Sequence, residues 1–372
     1  MNRNLLIGLA AAVVVALGLV MLLAEDRGEP VVGGGPLLPG LAEQVNAIDA
    51  VDVVAPGGAT AVQLRRDDER WQVVERDGFE AEFRQVVGLL RTLAEAERAE
   101  PRTDNPAWYA RLGVADIGAA DATGRRIDFP GTELPSLIVG QVDPTDSGSY
   151  VRIAGDAQAW LADRVLELVA DPVSWLEPGI MDIAGEDLEA VTVVHPDGET
   201  VELEKLGEQG DWVLRNVPEG RSAGPAWKRD ALANGIRGLS LDDVRRFDPP
   251  HPDDAVTTEL LTTDGLRFTA RTWREGEGDR ETAWVHFTVA DAGDAAIEPS
   301  DGREAPAESP EDTNATAIEA AAATTGAAAE RLASAVAVDS RLSPWAYAVP
   351  VRRADDLTPR LEDLLEPVDE EE

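Results

Sequence analysis

The chain has 372 residues, 44% of them apolar, which is room for two domains and a sizeable core and excludes a disordered polymer as a description of the whole. Acidic residues outnumber basic ones 71 to 33, and the resulting net charge of -38 sets the protein against nucleic acid and anionic lipid headgroups. It has no cysteine, which excludes disulfides, thiolate metal sites, cysteine nucleophiles and a lipoprotein anchor.

The first element in the chain is apolar. After Arg3 an uncharged run extends from Leu5 to Ala24, followed by Glu25, Asp26 and Glu29. Such a run, at ~1.5 Å per residue, spans roughly 30 Å, the hydrocarbon thickness of a bilayer. Its exit, "MLLAED", puts Leu22 where a cleavage site wants a small residue, so an uncleaved anchor is expected over residues 1–24. Arg3 ahead of the run and the acids behind it orient the N-terminus to the cytoplasm. The expectation is a single-pass inner-membrane protein whose body is periplasmic. Residues 25–45, with "GEPVVGGGPLLPG", read as a flexible linker.

A first α+β repeat is expected over residues 46–187. "AIDAVDVVAP", "TAVQLRRDD" and "RWQVVER" read as three strands. Phe79, Phe83, Val86, Val87, Leu90, Leu93 and Ala94 then fall at helical spacing before Pro101, giving a helix with one apolar face. "GRRIDF", "SLIVGQ" and "SYVRIAG" are short strands, "AQAWLADRVLELVADP" reads as a second helix, and "SWLEPGIMDIAGEDL" is a connector.

From Leu188 the order restarts, and residues 188–368 read as a second repeat. "AVTVV" (190–194) follows "AVDVV" (50–54), Trp212 follows Trp71, and Gly265 follows Gly124, all at offsets of 140 or 141. "AWKRDALANGIRGLSLDDV" is a helix weakened by its glycines. "TTDGLRFTARTW" and "ETAWVHFTVA" echo "DATGRRIDF" and "SLIVGQ". An insert over about 291–340 interrupts the second copy; its acidic part reads as disordered and its Ala-rich part as partly helical. Beyond it "WAYAVPVRRADDLTPRLEDLL" parallels "GSYVRIAGDAQAWLADRVLEL", with Tyr347 following Tyr150 and Arg360 following Arg164. Residues 369–372 are an acidic tail. The expected fold is α+β: two tandem repeats of antiparallel sheet with packed helices behind a single transmembrane helix.

The residues with chemical potential are few. His195 and His251 each open an "HPD" triplet, in which Pro followed by Asp is turn chemistry, and His286 alternates inside the strand "AWVHFTV". Asp143, Asp146 and Ser147 in "GQVDPTDSGSY" offer hard oxygens for calcium, but without EF-hand spacing and with turn residues that already explain the loop. No HExxH or GxxxxGK[ST] occurs. Among the tryptophans, Trp71, Trp212, Trp160 and Trp175 read as core, whereas Trp108 and Trp345 sit at element starts where an exposed pair would serve a partner or a glycan-like ligand. No catalytic, cofactor-binding or metal-binding residue is assigned, and no cofactor is expected.

The anchored N-terminus, the W-x-V/L strand before a helix, "WLADRVLEL" and the terminal "YAVPVRRADDLTPRLEDLL" resemble the bacterial family called domain of unknown function 4340, over roughly residues 48–365 apart from the insert. That resemblance implies no catalytic residues. It implies a context: such proteins are often encoded beside gliding-motility-type ABC transporters and look like their membrane-anchored extracytoplasmic auxiliary part. The expected function is therefore a non-enzymatic accessory or scaffold subunit, joined to the inner membrane by its N-terminal helix and partnered by an ABC transporter permease. The alternative is a periplasmic binding module for a polymer or small ligand, held in the cleft between the repeats.

Overall fold

The alternation of "AVDVV" and "TAVQLRRD" does produce a pair of antiparallel strands, and a sheet extends on either side of it. A computed structural model describes residues 34–145, 147–206, 210–294 and 315–367. The chain divides into two units, one of Met1–Glu75 with Glu80–Trp175 and the other of Arg76–Phe79 with Leu176–Glu372. The expected anchor at residues 1–24, most of the expected linker, residues 295–314 of the insert and the acidic tail lie outside the described residues. Among the described residues no helix is long and apolar enough to cross a membrane.

The strands of the first sheet are β1 (Ala50–Val54), β2 (Thr60–Asp67), β3 (Arg70–Val73), β4 (Phe79–Glu80, at the division between the units), β5 (Arg98–Thr103), β6 (Arg125–Asp128), β7 (Leu137–Val142), β8 (Ser149–Ile153) and β9 (Ala159–Ala162). They form one sheet in the order β4-β3-β2-β1-β6-β7-β8-β9-β5, antiparallel from β3 to β5. Val51, Val53, Val62, Leu64, Trp71 and Val73 are the alternate, buried residues of the first three strands. Helix Phe83–Glu95 buries Val86, Leu90 and Leu93, one stripe at i, i+4 and i+7. Phe83 and Val87, counted with that stripe in the sequence, are exposed.

Three expectations for this unit are corrected. Residues 34–45 are not free linker. Gly34 and Leu37 donate to the carbonyls of Arg98 and Ala96 (2.8 and 2.7 Å), and Leu37, Leu38 and Leu41 are fully buried. "PLLPGLAEQ" supplies too much apolar surface to stay in water. The second helix is not a helix either: its start, "AWLA", is β9, buried at all four positions. A strand covered on both faces reads as a continuous apolar run, and periodicity alone cannot separate that from helix. Finally, "RAEPRT" is β5, the edge strand, a position that tolerates Pro101.

The second unit contains β10 (Gly179–Met181), β11 (Leu188–Val194), β12 (Thr200–Leu206), β13 (Asp211–Leu214), β14 (Leu239–Ser240), β15 (Asp243–Arg246), β16 (Val256–Thr262), β17 (Leu266–Glu275), β18 (Thr282–Asp291) and β19 (Trp345–Val349). Its main sheet runs β13-β12-β11-β16-β17-β18-β19-β15, with β10 and β14 pairing separately. The glycine-weakened helix stops at Ala233, and the rest of its expected span becomes β14 and β15. In the insert, helix Ala315–Leu342 packs on β18, burying Ala335 and Leu342, while the Asp339 carboxylate accepts from the Val289 amide at 2.8 Å. Position by position, β13, β12, β11, β16, β17, β18, β19 and β15 take the order of β3, β2, β1, β6, β7, β8, β9 and β5. The strand beside β11 is β16, which lies between the expected helix ending at Val244 and the expected strand beginning at Thr262. Tyr150 on β8 and Tyr347 on β19 consequently occupy different positions in their sheets, as do Gly124 ahead of β6 and Gly265 ahead of β17.

Candidate functional site

Each histidine has a defined partner. His195 opens the expected turn, accepting from the Gly198 amide through its carbonyl (2.9 Å), and its buried ring places Nε2 3.0 Å from the carbonyl of Pro359. The other two meet. His251, following a cis peptide between Pro249 and Pro250, lies with Nε2 2.9 Å from Nδ1 of His286, whose Nε2 is 2.8 Å from the Ser343 carbonyl. A carbonyl only accepts, so His286 carries its proton on Nε2, and His251 donates to the free Nδ1. Phe247 stacks on the His286 ring, centroids 3.8 Å apart, and lies 4.5 Å from that of His251. Burial pushes His251 down to about 4, with the His286 and Arg271 charges acting the same way, and burial also lowers His286. The pair is thus two neutral, hydrogen-bonded rings, closed at one end by the Ser343 carbonyl. Among the described residues no group of three metal-ligating side chains accompanies it.

The Asp143 loop is also complete in itself. One carboxylate oxygen accepts from the Thr145 amide (3.1 Å) and hydroxyl (2.5 Å) and from Ser147 Oγ (3.2 Å), and the other accepts from Tyr150 OH (2.6 Å). These bonds, Thr145 first and then Tyr150, hold the carboxyl well below the usual carboxylate range. The oxygens that calcium would need are already committed to the loop; Asp146 lies outside the described residues. Trp71, Trp160, Trp175 and Trp212 are buried, as their positions suggest, but so is Trp345, which removes the expected exposed pair.

Trp108 remains, 46% exposed, and it lines a groove. Asn105 caps a short turn by accepting from the Ala107 amide (3.0 Å), Pro106–Trp108 forms that turn, and Tyr109–Leu112 continues it helically. The helical turn sits directly on the sheet: a Cβ added to Gly140 on β7 would lie 2.1 Å from the Leu112 carbonyl. Arg111, three residues after Trp108, folds back so that its guanidinium carbon is 4.2 Å from the indole centroid. Across the groove Arg102 of β5 lies 5.7 Å from the ring centroid of Tyr150 on β8, β9 running between them in the sheet. Thr103 and Leu112 complete a cavity of about 470 Å³. Spacing in "WYAR" carried the Trp108–Arg111 stack; bringing Arg102 and Tyr150 to it required the strand order, which the sequence did not reveal.

The fold and these sites define a class: a two-unit α+β protein of antiparallel sheets with a surface groove on its first unit. The chain belongs to the family described as domain of unknown function (DUF4340), whose model matches residues 71–261, just over half of its length. The match begins at Trp71 in the first unit and ends at Leu261 on β16 of the second. Comparison with curated proteins and with solved structures finds no match.

Proposed function

We propose that this chain is a membrane-held extracytoplasmic accessory subunit of an ABC-type transport complex, acting through protein contacts and performing no catalysis. The observation that carries the reading is the docking of residues 34–41 onto the first unit. With Leu5–Ala24 as the anchor, only the stretch from Glu25 to Gly34 separates bilayer from folded protein. Fully extended, that stretch reaches at most about 35 Å. A tether so short keeps the first unit at the membrane surface and raises its effective concentration toward a membrane partner. The two units are, in this reading, copies of one repeat; their common strand order supports it.

The test uses the full chain in its native membranes. It should resist carbonate extraction, and a chain lacking residues 1–24 should be released. A photo-crosslinker placed at exposed Glu43, beside the docked segment, should trap an ABC permease subunit. Carbonate release of the full chain, or recovery of the protein without a crosslinked permease, would overturn the proposal.

A further inference from the structure

We propose that the groove between Trp108–Leu112 and the β5–β8 edge of the first unit is a binding site for a small organic monocarboxylate. Two stacked arginines in this unit show why. Arg152 lies 4.5 Å over Tyr109 and is 2% exposed, and its fork is used up: Nε donates to the Val114 carbonyl (2.8 Å), Nη1 to that of Asp156 (2.9 Å) and Nη2 to Asp116 (2.5 Å). That arginine is a structural brace. Arg111 has the same stacked posture and is exposed, but it makes no hydrogen bond or ion pair among the described residues. Stacking consumes the face of a guanidinium and leaves its in-plane donors free, in the geometry that receives a carboxylate through two parallel bonds.

The rest of the groove sets the ligand's charge and body. Arg102 is already balanced by Glu100 at 3.1 Å, with Asp143 at 4.0 Å, so among the described residues Arg111 is the uncompensated cation of the groove. A single negative charge matches it, whereas a dianion would meet Glu100 and Asp143. Asp143 is held by its own loop and does not turn toward a ligand. Leu112 and the Tyr150 ring supply an apolar wall, and the Thr103 hydroxyl, which accepts from the Asn105 amide at 3.1 Å, retains a proton to donate. The volume, about 470 Å³, lies in the range of small-molecule sites.

The site does not depend on the membrane reading, and its test can fail alone. Full-length protein in detergent micelles is titrated with benzoate, glucuronate, benzamide and phenyl phosphate, followed by saturation-transfer NMR and calorimetry. Benzoate or glucuronate should bind, the better of the two reporting an apolar or a sugar body. Benzamide and phenyl phosphate should bind at least about tenfold more weakly than the better acid, the loss expected for a charge-assisted bond. Arg111→Gln should weaken the acid about tenfold, Arg111→Lys should not restore it, and Arg125→Gln on β6 should leave it unchanged. The proposal is overturned if neither acid binds at millimolar concentration, if benzamide matches benzoate, or if Arg111→Gln binds like the parent. The acid–amide comparison needs no variant, so it stands even where a substitution perturbs the turn.

Discussion

Replacing His251 by Phe should cost stability at neutral pH and little in acid. At pH 7.5 the substitution strips His286 Nδ1 of the donor 2.9 Å away, inside a cluster with Phe247 and Trp273. Losing such a bond in a partly buried setting costs about 1–2 kcal/mol. The pH dependence follows from the depressed folded-state value of His251, about 4 against an ordinary 6.5. The unfolded chain takes up the proton first, so the stabilisation from keeping this ring neutral is complete above about pH 6.5. It is lost as pH falls through about 4. Two and a half units correspond to ~3.4 kcal/mol, and solvent screening of this partly exposed ring reduces that to about 1–2 kcal/mol. The difference between parent and variant should therefore shrink to near zero by pH 4.5. His286, also held low by burial and facing Arg271 and Asp339, leaves the variant with some acid sensitivity of its own. Urea titrations followed by Trp fluorescence at pH 7.5, 6.0 and 4.5 measure the difference directly, and the carboxylates common to both proteins cancel. A cost that stays constant over this range would refute the neutral pair.

Trp71→Ala and Trp212→Ala each remove a buried indole and should cost about 3–5 kcal/mol by chemical denaturation; if neither lowers stability, those tryptophans are not core. Gly140→Ala drives a Cβ into the Leu112 carbonyl, 2.1 Å away, and should lower the melting temperature and shift Trp108 emission together; an unchanged spectrum would mean that the turn is not seated on β7. Calcium at millimolar concentration should leave the melting temperature unmoved, because Thr145, Ser147 and Tyr150 already occupy the Asp143 carboxylate. Added NaCl should raise the melting temperature by screening the self-repulsion of a chain with net charge -38, and a flat response would count against that repulsion.

What the sequence determined by itself was local. Alternation located β1, β2, β3, β11, β12 and β13, since in each the buried positions alternate with less buried ones. Helical spacing located Phe83–Glu95, and turn chemistry located both "HPD" triplets. Tertiary structure decided what depends on a neighbour. "AWLA" is a strand because protein covers both its faces, and "PLLPG" is ordered because Leu37 and Leu38 find a core. His251 and His286 are 35 residues apart and met only once the loop after β15 folded beside β18. Arg102 and Tyr150 share a groove with Arg111 only because β5 returns to the sheet edge beyond β9. Spacing along a chain encodes faces, but the pairing of faces is settled by the burial they achieve together, and the groove and the histidine pair are products of that pairing.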